Sequence, residues 1–184
     1  MAILPITLYG DKILRKKAIR ISKVDAKILT LINDMFETMR NADGMGLAAN
    51  QVGSHKSIFI YDLSSVKGFE KTKPMVFINP KIVEYSAETT VMEEGCLSLP
   101  GIRAKVERPV GIKLLYQDLD LNDHILEDDD LLARVIQHEY DHLQATFFTD
   151  RLDDEGKKMV KKPLQKIVSR KVEIEYPITD KGTM

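Results

Sequence analysis

The sequence predicts an α+β domain with antiparallel strands. Three observations carry this: a helical apolar stripe near the N-terminus, a middle region of short runs rich in Val, Ile, Phe and Tyr, and a return to helical spacing after residue 128. Strands and helices are segregated rather than alternating as βα units, so the strands are expected to pair with their neighbours in antiparallel fashion.

Residues 25–42 carry Ile28, Leu31, Ile32, Met35, Phe36 and Met39, spaced to put one apolar stripe on a helix. Asp25 can cap its start, and residues 41–44 can end it. Residues 57–61, 74–79, 81–85, 89–93, 104–106 and 110–116 read as strands punctuated by Pro, Gly, Asn or Ser. A second helix is expected near residues 128–130, where Asp128, Asp129 and Asp130 suit the positive end of the helix dipole. On it Leu131, Val135, His138 and His142 share a face. Residues 153–171 are expected to be helical, with Met159, Val160, Leu164, Ile167 and Val168 on the apolar side. Pro163 would mark a kink or a first turn there. Residues 172–176 alternate like a final strand.

A chain of 184 residues suits one domain, 1–184, with its own core. Lys plus Arg (27) nearly balance Asp plus Glu (28), which argues against DNA or other wholesale nucleic-acid binding. No apolar run approaches the ~18 residues of a membrane span, and the apolar start is too short for a signal peptide. The lone cysteine, Cys96, cannot form an intramolecular disulfide. These features point to a reducing cytoplasm.

The stretch His138-Glu139-Tyr140-Asp141-His142 carries the most chemical information. Two histidines four apart on a helix can reach one divalent metal. Glu139, a quarter-turn away, can touch a water at that metal without ligating it. A catalytic site needs a third protein ligand and an open fourth position. The extended metalloprotease pattern would place Gly at 145 and His at 148; the chain has Ala145 and Phe148. Glu155, Glu173 and Glu175 remain formal candidates for the third ligand. So does Cys96, in Glu94-Gly95-Cys96-Leu97-Ser98, although a lone cysteine is more often a small buried hydrophobe. Its place between two expected strands would let a strand break and turn it toward the helix. A third stretch, Gly44-Met45-Gly46-Leu47-Ala48-Ala49-Asn50-Gln51, has two glycines that permit close backbone approach.

These three stretches, in this order, resemble the motifs of the peptide deformylase family over about residues 5–152. The resemblance implies antiparallel sheets packed around a central metal-binding helix, with an N-terminal and a C-terminal helix. It implies that Cys96, His138 and His142 bind the metal and that Glu139 is the general acid/base. Gln51 would supply a side-chain N–H, and Leu97 its backbone N–H, to the reacting oxygen. Met45, Gly46, Leu47 and Val135 would help line a methionine pocket, and Arg103 would meet the peptide backbone. The implied metal is Fe²⁺, with Ni²⁺, Co²⁺ or Zn²⁺ as substitutes. The implied substrate is the N-formylmethionyl nascent peptide. Glu94 and Gln137 adjoin ligands and are read as supporting them.

The tail 153–184 is variable in the family, so no role is carried over to it. Its basic run, Lys157, Lys158, Lys161, Lys162, Lys166, Arg170 and Lys171, reads first as a solvated helix face; a transient ribosome contact is the other reading. His55 and His124 read as solvated loop residues. Two rival functions stand beside the deformylase one. One is a zinc endopeptidase using the same helix with another third ligand. The other is a non-catalytic metal-binding module, which would need a closed site of four protein ligands.

Overall fold

The computed structural model describes residues 2–181. Met1 and residues 182–184, parts of the expected domain and tail, lie outside the described residues.

Helix α1 spans Ala26–Asn41. The Asp25 side chain accepts the Ile28 N–H at 3.0 Å, satisfying one donor that a helix start leaves unpaired. The expected stripe turns inward: Ile28, Ile32, Met35 and Met39 are buried, with Leu31 and Phe36 partly buried beside them.

Five strands form an antiparallel sheet in the order β1 (Gly46–Ala48), β2 (Ile58–Tyr61), β3 (Met75–Tyr85), β6 (Ile112–Gln117) and β7 (Asp123–Asp128). A separate hairpin joins β4 (Thr89–Cys96) to β5 (Leu99–Pro109). The expected runs 74–79 and 81–85 are one strand, β3. Pro80 between them has no N–H for the ladder, and the pairing with β6 shifts register between Ile78 and Lys81. Asn79 takes up the irregularity at φ +50°. Its side chain accepts the Ile21 N–H at 2.9 Å and donates to the Ile21 carbonyl at 2.8 Å.

Two strands have no counterpart in the sequence reading. β1 is only three residues long. β7 is a largely exposed edge strand carrying Asp123, His124, Glu127 and Asp128. Charges of this kind blunt a sheet edge, and they also erase its apolar alternation. His124 therefore lies in a strand rather than a loop, with its Nε2 2.7 Å from Asp118 Oδ2.

Helix α2 spans Leu131–Leu143 and is buried nearly all round. Ala133, Ile136 and Leu143 pack with Phe59, Phe77 and Leu114 of the five-stranded sheet. Arg134 and Asp141 are bonded to residues of the β4–β5 hairpin. The helix thus lies between the two sheets, as the resemblance implied.

The C-terminus of α2 is tightly bonded. Thr146 N–H reaches the Asp141 carbonyl at 2.9 Å, Asn50 Nδ2 the His142 carbonyl at 2.6 Å, and Ala18 N–H the Leu143 carbonyl at 2.9 Å. The reversal requires a left-handed residue, and Ala145 fills it at φ +63°. Glycine adopts that conformation without a Cβ clash. Ala145→Gly is therefore expected to raise stability by about 0.5–1 kcal/mol, net of glycine's greater freedom when unfolded. Urea midpoints at unchanged slope check this, and a lower midpoint would refute it.

Helix α3 spans Asp154–Val168, with Asp153 accepting the Gly156 N–H at 2.7 Å. Pro163 lies well inside it rather than in its first turn. Val160 and Ile167 are buried, but Met159 is 74% exposed, so the expected apolar side is narrower than its sequence pattern. Residues 172–176 are not a strand. They alternate between inward and outward side chains, yet the nearby ladder is a single bridge, Ile6 to Ile178. Among the described residues no helix is long and apolar enough to cross a membrane.

Candidate metal centre

Cys96 closes β4. The pairing with β5 shifts register between Gly95 and Cys96, and Cys96 then pairs with Leu99 across a two-residue turn, Leu97–Ser98. That break turns the sulfur toward α2. Cys96 Sγ lies 3.2 Å from His142 Nε2. The His138 and His142 rings have centroids 5.1 Å apart.

One ligand-type atom from each of Cys96, His138 and His142 lies within 4.8 Å of the others. Small shifts would set all three at about 2.0–2.3 Å from one ion. A thiolate with two imidazoles suits a transition metal rather than Mg²⁺ or Ca²⁺. Glu155, Glu173 and Glu175 do not belong to this group. Glu139 stands beside it with Oε2 buried and without a hydrogen-bond partner. This oxygen fits a site that holds a further polar species.

The charges around these groups are coupled. Burial lowers the His138 imidazole, but the Cys96 sulfur and the Glu94 carboxylate outweigh it and push the ring up to about 10. A cation in this site would take the place of that proton. Burial, with the His138 charge, holds His142 well below the usual range. Burial pushes the Glu139 carboxyl up to about 7.

Behind these three groups lies a buried ion network. Glu94 Oε2 is 2.9 Å from His138 Nδ1, which aims the opposite nitrogen at the site. Arg108, only 1% exposed, grips both Glu94 oxygens at 2.6 and 2.9 Å and Asp141 Oδ2 at 2.7 Å. Arg134 joins Glu94 Oε1 at 2.9 Å, and Arg151 holds both Asp141 oxygens at 2.6 Å. Burial raises the Glu94 carboxyl, but the hydrogen bonds from His138 and Arg108 outweigh it and hold it far below the usual range. Gln137 does not support a ligand. It turns away and donates to the Pro109 carbonyl at 2.9 Å.

Gln51 sits in a short 3-10 turn, Ala49–Val52. Its Oε1 accepts the Ala48 N–H at 2.8 Å, which orients the amide. Its Nε2 then faces Cys96 Sγ at 3.5 Å and Ser98 Oγ at 3.2 Å. A cleft of about 720 Å³ opens onto these groups, lined among others by Met45, Gly46, Leu97, Arg103, Val135 and Glu139. Gly46 meets Glu139 so closely that an added Cβ would lie 2.6 Å from Oε1. Arg103 is largely exposed and lies 3.6 Å from Glu93. Leu47 does not line the cleft. Its side chain is fully buried with Met39, Ile58 and Ile60, because β1 alternates and puts Leu47 on the core side.

The family model for polypeptide deformylase matches residues 3–158. The chain belongs to this family. A peptide deformylase of Prosthecochloris aestuarii is 45% identical over 97% of this chain and 95% of that protein. One from Salinibacter ruber is 42% identical over 97% and 95%. Among solved structures, a plant peptide deformylase superposes with a TM-score of 0.85 at 34% identity, covering 94% of this chain and 96% of that one. The peptide deformylase of Synechococcus elongatus in complex with actinonin gives 0.80 at 38%, covering 93% and 89%. Polypeptide deformylases are metal-dependent hydrolases, and the Cys96–His138–His142 group fits the metal they need. Neither the endopeptidase nor the non-catalytic module is favoured.

Sequence reasoning missed Arg108, Arg134, Asp141, Arg151, Asn50 and Ser98 around this centre. Asp141 lay inside the histidine stretch, but nothing in its neighbours marked it as a buried anion. Arg108 occupies an inward position of β5. A charged residue at such a position is a signal only once the register is known.

Proposed function

We propose that the chain removes the formyl group from the N-terminal formyl-methionine of newly synthesised proteins and releases formate. The observation that carries this is a cysteine sulfur and two imidazoles within one ion's reach, beside a buried unpartnered carboxylate oxygen of a residue that lines an open cleft.

In this reading Cys96 Sγ, His138 and His142 hold the metal, Fe²⁺ in the cell, with Ni²⁺, Co²⁺ or Zn²⁺ as substitutes. When bound, it supplies Lewis acidity and lowers the pKa of a water from ~15.7 toward ~7. Glu139 Oε2 accepts a proton from the attacking water and delivers it to the methionine nitrogen as the formamide C–N bond breaks. The formyl oxygen, as it gains charge, receives the Gln51 Nε2–H and the Leu97 backbone N–H. Met45, Gly46 and Val135 shape the methionine pocket, and Arg103 meets the peptide backbone. Leu47 supports that wall from the core.

The same reading makes the chain one catalytic domain acting in the cytoplasm. The lysines of α3 remain available for transient contact with ribosomal RNA.

Formate release from a formyl-Met peptide by anaerobically purified, Fe²⁺- or Ni²⁺-loaded chain tests the proposal; well-folded, metal-loaded chain that releases none would overturn it. Loss of one oxyanion donor typically costs about 2.7–4 kcal/mol. Gln51→Ala is therefore expected to lower kcat by ~10²–10³-fold with metal content unchanged. Normal turnover in that variant would remove Gln51 from the reaction.

A further inference from the structure

The family match ends at residue 158, yet the chain beyond α3 returns to the catalytic cleft. It is pinned to the N-terminal segment at two places. Arg170 Nη2 reaches both Asp11 carboxylate oxygens at 2.8 Å. Further on, Ile6 N–H donates to the Pro177 carbonyl at 2.8 Å, Thr179 N–H to the Ile6 carbonyl at 3.0 Å, and Thr179 Oγ1 to Asp11 Oδ2 at 2.9 Å.

Between these pins Val172, Ile174 and Tyr176 turn inward and pack on the cluster that includes Cys96 and Leu97. The stretch from Glu173 to Tyr176 forms one wall of the cleft. The Tyr176 hydroxyl donates to the Leu97 carbonyl at 2.6 Å. Leu97 is half of the two-residue turn that follows the ligand Cys96. The other half, Ser98, is held by Tyr9 N–H at 2.9 Å and by Gln51 Nε2 at 3.2 Å. Tyr176 thus supplies the hold on the Leu97 side. The Leu97 carbonyl and N–H sit on the two peptide planes that meet at the Leu97 Cα, so anchoring the carbonyl limits how far that Cα, and the N–H with it, can shift.

We propose that Tyr176 is a positioning residue for deformylation: its hydroxyl, held in place by the doubly pinned strap, fixes the Leu97 turn so that the Leu97 N–H meets the formyl oxygen. This rests on the deformylase reading above. An oxyanion donor works only within about 2.7–3.1 Å of where the charge develops. A loosened turn therefore acts on the chemical step more than on peptide binding.

The test compares wild type, Tyr176→Phe and Tyr176→Leu as full-length, Ni²⁺-loaded chains on a formyl-Met-Ala-Ser peptide. Turnover is normalised to bound nickel, so that misfolded chain does not count. Tyr176→Phe removes only the hydroxyl. It is expected to lower kcat per nickel by about 3–10-fold, the range of one net hydrogen bond, with KM and nickel content close to wild type. Tyr176→Leu is expected to fall further. A merely structural role would lower the melting midpoint and the nickel-loaded fraction but leave kcat per nickel unchanged, and that result overturns the proposal. So does a rise in KM at constant kcat, which would make the strap a binding wall only. Wild-type chain that releases no formate would sink the deformylase reading itself, and that is seen before either variant is compared.

Discussion

Glu139→Ala is expected to lower formate release by ~10²–10⁴-fold, the usual worth of a positioned acid/base, while Cys96, His138 and His142 keep their metal. Glu139 is not one of the three clustered ligand-type groups. Glu139 as a whole is 4% exposed, with one carboxylate oxygen buried and unpartnered. Burial lifts its proton affinity to about 7, where it can take and return a proton near neutrality. Gly46 is what lets the carboxylate sit so close to the backbone of β1. The same burial makes the carboxylate a cost to the fold, so Glu139→Ala is also expected to leave the protein at least as stable as wild type. Formate release, metal analysis and a denaturant midpoint on the same preparation check all three parts. Full activity would refute the acid/base role. Loss of metal would make Glu139 a ligand instead.

Arg108→Met is expected to destabilise the fold by about 3–5 kcal/mol, the cost of leaving a buried partner charge uncompensated. Arg108 is the largest fully buried side chain among the described residues and bridges Glu94 to Asp141. Removing it leaves two buried carboxylates sharing Arg134, Arg151 and His138. Because Glu94 orients His138, metal affinity is expected to fall by about 10–100-fold as well. Adding Asp141→Asn should recover part of the stability, since it removes one stranded charge. Urea unfolding and chelator competition measure the two effects. A loss below about 1 kcal/mol would place the network among ion pairs that contribute little.

Some of this was legible in the sequence because it depends on local spacing. Helix periodicity and an N-cap are properties of a few neighbouring residues, so α1, with Asp25 before it, could be read directly. His138 and His142 share a helix face by geometry alone. Strand edges were less legible. β3 read as two strands because Pro80 interrupts the pattern, although a bulge carries the strand past it. β7 was hidden because an exposed, charged edge has no apolar alternation to display. Residues 172–176 showed that alternation without being a strand. Inward packing produces the pattern, but ladder pairing needs a free sheet edge, and the neighbouring segment offers one bridge.

By itself the sequence determined the α+β class, the two helical histidines with their glutamate, and a short list of third ligands. Only the tertiary structure decided among distant partners. It brought Cys96 to His142 across 46 residues of chain, Arg108 to Asp141 across 33 and Tyr176 to Leu97 across 79. It also turned Leu47 and Gln137 away from the site. The physical reason is the same in each case. Local pattern sets which face a side chain takes on its own element, whereas strand register and the packing of that element against others set what the face meets.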